Sequence, residues 1–225
     1  MQGEGEPLLL LNGLTRPLES WEPVSRELGG RMLVSLDLPG VGLSPTPPVP
    51  MSMEAMAALA TEVLDHLGCT AVDVLGFSYG GAVAQQLAFD HAARVRRLVL
   101  AATSCGVGAT PGSRHVLLEA ASAYTSPSWP PPSSVGTMWQ SLAICGWSAI
   151  PLLGALRMPT LVVCGGRDRV VPPTNSRLLA SRIPGAELVV LPVAHDLQRG
   201  AAARMLAHVM GTFLAVHQAA PRGST

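Results

Sequence analysis

Charged and aromatic side chains are scarce in this sequence. Only 13% of the 225 residues are charged and 4% are aromatic, whereas 48% are hydrophobic, and the formal net charge is zero. A chain without a basic field has no electrostatic footprint for nucleic acid. We therefore expect no nucleic-acid partner. Few charges combined with many aliphatic residues favour strands that are buried on both faces, as in a parallel sheet.

Long hydrophobic runs and paired cysteine motifs are absent as well. No apolar run approaches the roughly 20 residues that span a bilayer, and the acidic, glycine-rich start at residues 1–6 does not resemble a signal peptide. The four cysteines show neither a Cys-x-x-Cys pair nor a zinc-ligand spacing, and no glycine loop is of the phosphate-binding kind. We expect free thiols, no metal, no organic cofactor, no transmembrane segment and a cytoplasmic protein.

Short apolar runs alternate with helical stretches through most of the chain. Six runs have strand length and end at turn residues; they are 7–11, 31–36, 71–77, 95–102, 160–164 and 187–191. Helical patterns occupy 18–28, 52–67, 79–91, 174–182 and 201–217. This alternation predicts βαβ units, and hence a mostly parallel sheet of about six strands with helices on both faces. The length predicts one domain over residues 1–225.

One stretch interrupts this alternation. Residues 106–146 are rich in Pro, Ser and Gly, and contain only a weak helical patch at 113–124. The stretch follows one predicted strand and precedes the next, so it extends from the carboxyl ends of the strands. Long loops in that position usually carry function. We interpret residues 106–146 as a short lid.

The strongest chemical signal is a G-x-S-x-G pentad at residues 76–80. It follows a hydrophobic run and opens a helical one, which is the context that a nucleophilic serine on a strand-to-helix turn requires. The sequence therefore predicts that Ser78 is a nucleophile. The alternative is a glycine-rich packing turn without catalytic function.

A serine hydroxyl needs a base to become a good nucleophile. Six histidines compete for this role: His66, His91, His115, His195, His208 and His217. Four of them lie in helical patterns and one lies in the lid. His195 follows the last strand directly, where a loop overlies the same strand ends as Ser78, so we predict that His195 is the general base.

The acid of such a triad is expected between nucleophile and base in chain order. Asp168 is the only carboxylate in the loop that follows the fifth strand. It would orient the imidazole and stabilise the imidazolium ion. The alternative is an exposed carboxylate that pairs with Arg167 or Arg169. Asp196 cannot easily reach the ring of its own neighbour, so we interpret it as a surface residue.

An oxyanion hole requires two donors near the nucleophile. One is expected to be the backbone N–H of Tyr79, the residue after the serine, and the other the backbone N–H of Leu14, in the loop after the first strand. Residues 37–44 form a glycine-containing tight loop. Because glycine permits positive φ, we interpret that loop as structural rather than catalytic.

Together these motifs resemble the α/β-hydrolase superfamily. The resemblance rests on Asn12-Gly13 with Trp21 downstream, the loop at 37–44, the elbow at 76–81, Gly165–Pro172 and the late His195. It covers nearly the whole chain and implies the α/β-hydrolase fold with a Ser-His-Asp triad.

A closer resemblance is to intracellular medium-chain-length poly(3-hydroxyalkanoate) depolymerases. It is carried by segments 10–13, 39–48, 84–88, 98–104, 139–147 and 177–188. The resemblance implies hydrolysis of a storage polyester at a granule surface. Related polymer synthases carry cysteine at the nucleophile position, so Ser78 favours the hydrolytic branch.

The sequence departs from these relatives in two respects. Family members usually have a β-hairpin before the first run seen here, and that hairpin is missing. An uncovered sheet edge costs stability or invites pairing with another chain, so homo-oligomerisation through this edge is an expectation. The lid also looks shorter than in the depolymerases, and a lid shapes the acyl pocket. We therefore expect the substrate to be either a small molecule or a polyester.

Two rival functions stay open on the same scaffold. A thioesterase, or a biosynthetic catalyst of cyclisation or acyl transfer, would use the same fold. A binding module without catalysis would use only the pocket. The presence of all three triad residue types favours an enzyme over the binding module, whereas the fold alone does not separate an esterase from a thioesterase or an acyl-transfer catalyst.

Overall fold

Six short apolar runs form one parallel sheet. The computed structural model describes residues 1–113, 129, 131 and 133–216. Its strands are β1 (Glu6–Leu11), β2 (Arg31–Ser35), β3 (Val72–Phe77), β4 (Val95–Ala101), β5 (Thr160–Gly165) and β6 (Glu187–Leu191). They lie in the order β2-β1-β3-β4-β5-β6, and every neighbouring pair is parallel. The predicted sheet is confirmed, with each strand within one residue of its predicted bounds.

Seven α-helices are found in the described part of the chain. They are α1 (Glu22–Ser25), α2 (Met53–His66), α3 (Tyr79–Asp90), α4 (Ser134–Cys145), α5 (Ile150–Leu153), α6 (Pro173–Arg182) and α7 (Gly200–Val216). Ser52 caps α2 by accepting a hydrogen bond from the Ala55 N–H at 3.2 Å, as expected of a serine at that position. Among the described residues, no helix combines the length and the hydropathy required to cross a bilayer.

The sheet has a hydrophobic core on each face, because successive strand residues point to opposite sides. In β1, Leu9 and Leu11 belong to the core that includes α2, α3 and α6. Leu8 and Leu10 belong to the opposite core, which includes Trp21 and α7. All four leucines are at most 1% exposed. Helices therefore cover both faces, as the sequence predicts.

The predicted helix over residues 18–28 is shorter and broken in the structure. A 3-10 turn (Leu18–Trp21) is followed by the single-turn helix α1. Pro23 explains the break, because proline has no N–H to donate to the carbonyl of Glu19 and its ring crowds that carbonyl. The two short pieces still bury Trp21 against the sheet.

The stretch at 106–146, which we interpreted as a lid, contains a helix that the sequence analysis did not predict. Helix α4 begins after Ser133, whose hydroxyl accepts a hydrogen bond from the Gly136 N–H at 3.1 Å. The weak helical patch at 113–124 falls, after residue 113, outside the described residues. The extent of the lid over 106–146 and the single domain over 1–225 stay predictions.

The outer edge of β2 is where the family hairpin is expected. In this chain Gln2 forms an antiparallel bridge with Leu33 at that edge, with N···O distances of 3.0 and 2.7 Å. One residue of β2 is thereby paired on its outer side. Homo-oligomerisation through the rest of this edge stays a prediction.

Candidate active site

Ser78 lies on a strained turn between β3 and α3. Its backbone has φ 52° and ψ −116°, a left-handed conformation that costs a non-glycine residue free energy and that occurs at functional sites. Two contacts hold this conformation: the Ser78 N–H donates to the Ala101 carbonyl at 2.9 Å, and the Thr103 hydroxyl donates to the Ser78 carbonyl at 2.7 Å. The turn therefore presents the serine side chain at the carboxyl end of the sheet.

Glycines on both sides of the serine permit the close packing that this turn needs. A Cβ on Gly80 would lie 2.1 Å from the Leu11 carbonyl oxygen, and one on Gly76 would lie 2.6 Å from the Cα of Gly81. Both distances are shorter than any real carbon contact. The pentad thus brings α3 against the end of β1, where the Asn12-Gly13 loop begins.

His195 lies within hydrogen-bond distance of Ser78. Its Nε2 atom is 3.2 Å from Ser78 Oγ, and its Nδ1 atom is 2.7 Å from Asp168 Oδ2. The imidazole is held in the loop after β6 and is 4% exposed. The structure therefore brings the three side chains singled out in the sequence into one hydrogen-bonded row.

Asp168 is anchored by the loop that follows β5. Its Oδ1 atom accepts hydrogen bonds from the backbone N–H groups of Val170 and Val171, both at 2.8 Å. Such bonds stabilise the ionised carboxylate. Arg167 donates instead to the Pro192 carbonyl. The second carboxylate oxygen is therefore directed at His195, and the Asp168 side chain is 0% exposed rather than an open surface group.

Tyr79 and Leu14 are the residues predicted to supply the two backbone N–H groups of an oxyanion hole. Tyr79 is the first residue of α3, so its N–H has no acceptor within the helix, and Leu14 lies in a turn closed by the hydrogen bond from the Arg16 N–H to the Gly13 carbonyl at 3.1 Å. Among the residues that the structure describes, no hydrogen bond is found from the Leu14 N–H, and none from the Tyr79 N–H to an acceptor outside α3. Both are available to a ligand oxygen.

The phenol of Tyr79 points away from this chemistry. It donates to Met56 Sδ at 3.1 Å in the core under α2. Burial raises the pKa of the Tyr79 phenol above its ordinary value. The side chain thus stays neutral and anchors α3, and only the backbone of Tyr79 faces the site.

A comparison with protein-family models identifies the family of this chain. The family model described as "alpha/beta hydrolase fold" matches residues 6–124 and 113–199, which together cover most of the chain. The chain belongs to the α/β-hydrolase fold family. The matched ranges include β1 to β6 and Ser78.

Individual relatives narrow the comparison. Poly(3-hydroxyalkanoate) depolymerase of Ectopseudomonas oleovorans is 36% identical over 219 residues, an alignment covering 84% of this chain and 77% of that protein. 2-Hydroxymuconate semialdehyde hydrolase of Pseudomonas putida is 31% identical over 257 residues, covering 95% of this chain and 89% of that protein. The enol-lactonase of Burkholderia xenovorans LB400 superposes with a TM-score of 0.82 at 21% identity, covering 95% of this chain and 92% of that one. The two relatives of more than 30% identity support an ester-hydrolysing enzyme, and the superposed enol-lactonase shows the shared fold.

The other histidines of this hydrolase lie elsewhere. His66 is the last residue of α2, His91 follows α3, and His208 lies in α7 next to a cavity of about 290 Å³ between that helix and the β5–β6 edge. Within the described residues, only His195 approaches Ser78. His115 and His217 lie outside the described residues. In the same part of the chain, no three His, Cys, Asp or Glu side chains are grouped as metal ligands.

Asp196 is not the surface residue that the sequence analysis assumed. Its side chain is 23% exposed, and its Oδ1 atom accepts a hydrogen bond at 3.0 Å from Nη1 of Arg16, whose side chain is 2% exposed. A buried cation requires a partner of this kind. Asp196 thus neutralises Arg16 and does not contact the His195 ring through any described hydrogen bond.

Sequence reasoning also missed several polar residues around the site. Asn12, Arg16 and Gln198 are each at most 2% exposed and are joined by hydrogen bonds. Asn12 carried a signal, because it belongs to the Asn12-Gly13 loop that the sequence analysis singled out. Arg16 and Gln198 carried none, since they are 182 residues apart along the chain.

Helix α4 is docked on the loops beside the site. Gln140 is fully buried; its side-chain amide donates to the Pro39 carbonyl at 3.2 Å and accepts from the Thr15 N–H at 3.4 Å. Trp139 Nε1 donates to the Pro47 carbonyl at 3.1 Å. These contacts hold α4 against the turn that carries Leu14 and against the loop at 37–44.

That loop is itself organised by Asp37. The carboxylate accepts hydrogen bonds from the Leu18 N–H at 2.7 Å and from the Leu43 N–H at 3.1 Å. A Cβ on Gly42 would lie 2.1 Å from Asp37 Oδ2. Asp37 therefore joins two loops, as the structural interpretation of residues 37–44 expects.

Proposed function

We propose that this hydrolase cleaves carboxylic esters through an acyl-enzyme on Ser78, with His195 as general base and Asp168 as the acid that orients it. The observation that carries the proposal is the pair of contacts at 3.2 and 2.7 Å that joins Ser78 Oγ, His195 and Asp168 Oδ2. The strained elbow at Ser78 supports it independently, because such backbone strain persists only where the surrounding structure maintains it.

In the first half-reaction the hydroxyl of Ser78 attacks the ester carbonyl carbon. His195 Nε2 takes the hydroxyl proton while Asp168 holds Nδ1–H and stabilises the imidazolium. The carbonyl oxygen becomes an oxyanion, to which the N–H groups of Leu14 and Tyr79 donate. The tetrahedral intermediate collapses, the carbon–oxygen bond to the alcohol breaks, and His195 returns the proton to the leaving alkoxide oxygen.

In the second half-reaction water replaces the alcohol. His195 removes a proton from water as its oxygen attacks the acyl carbon, and the same two N–H groups stabilise the second oxyanion. The bond to Ser78 Oγ then breaks, Ser78 regains its proton from His195, and the carboxylic acid leaves. The reaction consumes one water for each ester bond and requires no cofactor.

For the substrate we propose medium-chain-length poly(3-hydroxyalkanoate) or its oligomers. The support is the 36% identity to the Ectopseudomonas oleovorans depolymerase over most of both chains. The proposed setting is the cytoplasm. The four cysteines are all free, and three of them are buried, which fits a reducing compartment.

The test combines a covalent probe with a substrate panel. A fluorophosphonate should label the wild type on Ser78 and should not label Ser78→Ala, while His195→Ala should lose hydrolysis of a short nitrophenyl ester. Labelling that survives in Ser78→Ala would refute the nucleophile. Acyl-thioesters and 3-hydroxyalkanoate oligomers, assayed side by side, test the substrate class, and a strong preference for thioesters would replace the depolymerase proposal.

A further inference from the structure

Two loops carry separate parts of the proposed machinery. Residues 12–16 follow β1 and contain the Leu14 donor, whereas residues 192–199 follow β6 and contain His195. Three strands separate β1 from β6 in the sheet. Among the described residues no backbone hydrogen bond joins the two loops. Where the two loops meet, the hydrogen bonds between them are made by side chains.

Arg16 and Gln198 make that connection. Arg16 Nη1 donates to Asp196 Oδ1 at 3.0 Å and to Gln198 Oε1 at 2.5 Å. The Gln198 amide in turn donates to Asn12 Oδ1 at 2.8 Å. The link is thus made from both ends of the 12–16 loop, at Asn12 and at Arg16.

Asn12 extends the connection into the scaffold. Its side-chain amide donates to the Pro17 carbonyl at 2.7 Å and to Ser20 Oγ at 2.8 Å. Ser20 lies next to Trp21, and both are 2% exposed. Since the network is out of water, its hydrogen bonds are stronger than they would be at the surface.

Arg16 also packs on the aromatic wall behind the base. Its guanidinium carbon lies 5.1 Å from the centroid of the Phe77 ring. The Phe77 ring in turn lies 5.3 Å from the His195 ring, centroid to centroid, and Phe77 directly precedes Ser78. The Arg16 side chain thus contacts both the hydrogen-bond network between the loops and the Phe77 ring, which lies beside the His195 ring.

We infer that Arg16 is a positioning residue, acting through Gln198 to hold the Leu14 N–H and the His195 ring at the separation that the acyl-transfer transition state requires. The inference rests on the proposed function. Because an oxyanion exists only in the transition state and the intermediates, a shift of the donor relative to the base should lower kcat and leave KM nearly unchanged. A misplacement of about 1 Å costs on the order of 100-fold in rate.

The test is a double-mutant cycle on Arg16→Met and Gln198→Met. Methionine keeps an unbranched side chain of similar length and removes the hydrogen bonds. In each single variant kcat for a nitrophenyl ester should fall about 100-fold, while KM changes less than about threefold. Because both residues act in one connection, the double variant should be no worse than the more severe single variant. Arg16→Lys, which retains the charge, should recover part of kcat.

Arg26→Met is the matched control. Arg26 pairs with Glu22 at the surface, and its side chain is 72% exposed, so its loss should leave kcat unchanged. If Arg16→Met does not fold, Gln198→Met decides, because it leaves the Arg16–Asp196 ion pair in place.

The inference and the proposed function fail in different ways. A wild type that resists the fluorophosphonate refutes the proposed function. A wild type that is labelled, together with folded variants whose kcat stays within threefold at temperatures well below Tm, refutes the positioning role and leaves only a structural one. Additive losses in the double variant would also overturn the inference, since they would mean that Arg16 and Gln198 act separately.

Discussion

Asp168→Asn tests whether the carboxylate controls the tautomer of the catalytic imidazole. The wild-type carboxylate bonds in two directions, with Oδ1 accepting two backbone N–H groups at 2.8 Å each and Oδ2 facing His195 Nδ1 at 2.7 Å. An asparagine at this position has one oxygen and one NH₂ group. It must place one of them toward the backbone donors and the other toward the imidazole.

The structure decides between these two orientations. If the NH₂ group faced the N–H groups of Val170 and Val171, two donors would lose their acceptor, at about 1–3 kcal/mol each. The amide oxygen therefore stays on the backbone side, and the NH₂ group donates to His195 Nδ1. The imidazole then carries its proton on Nε2, where it cannot accept the proton of Ser78.

The expected result is a fall in kcat of about 10⁴-fold, the loss known when the acid of a serine triad is made neutral with its geometry intact. That loss corresponds to about 5 kcal/mol of transition-state stabilisation. Steady-state hydrolysis of a nitrophenyl ester and the rate of fluorophosphonate labelling should fall together, while KM changes little.

Asp37→Asn is the matched control for this experiment. Asp37 is also a buried carboxylate, 8% exposed, that accepts two backbone N–H groups. It lies in the loop under α4 and has no described contact with His195. Its substitution should lower Tm and leave kcat within about threefold. A kcat in Asp168→Asn within tenfold of the wild type would refute the role assigned to Asp168.

Two further predictions concern buried groups away from the reacting atoms. Asp73 is 0% exposed and forms ion pairs with Arg31 and Arg97 at 2.7 Å, so Asp73→Ala should lower the free energy of unfolding, measured in urea, by about 3–5 kcal/mol. The control is the exposed Asp65, which pairs with Arg94, and Asp65→Ala should lower that free energy by less than about 1 kcal/mol. Equal losses in the two variants would contradict the reasoning. Cys145 is exposed, whereas burial encloses Cys105 and Cys164 and raises the pKa of both thiols, so the native protein should react with maleimide at Cys145 and become reactive at the other two only in denaturant. Fast labelling of Cys164 under native conditions, detected by peptide mass analysis, would argue against the packing beneath the Asp168 loop.

The strands, and the positions of Ser78, Asp168 and His195 directly after three of them, could be predicted from the sequence because each depends on a local pattern. A continuous apolar run that ends at a turn, such as residues 72–77, needs no distant contact to predict a buried strand. In a parallel sheet the carboxyl ends of such runs share one edge, so residues directly after three different runs are brought to the same rim.

Helix α4 escaped the same reasoning because its two fully buried residues, Gly136 and Gln140, are not large apolar ones. Gly136 and Gln140 face the loops, while Val135, Met138 and Leu142 are 44–52% exposed. These three apolar residues thus lie at the surface, and only the end of the helix, at Ala143 and Ile144, packs against the core. The sequence before the helix is rich in Pro and Ser, so Ser133 was not recognised as its N-cap. Helical periodicity predicts burial only where the helix packs its apolar stripe on a core.

The amino-acid sequence by itself determined the parallel sheet, the elbow at Ser78 and the loops that bear Asp168 and His195, because each depends on residues within a few positions of one another. Only the tertiary structure decided how those loops are held together. The hydrogen-bonded pairs of Arg16 with Asp196 and of Gln198 with Asn12 join residues 180 and 186 positions apart. No local pattern encodes such contacts, since they exist only once the sheet order has placed the two loops side by side.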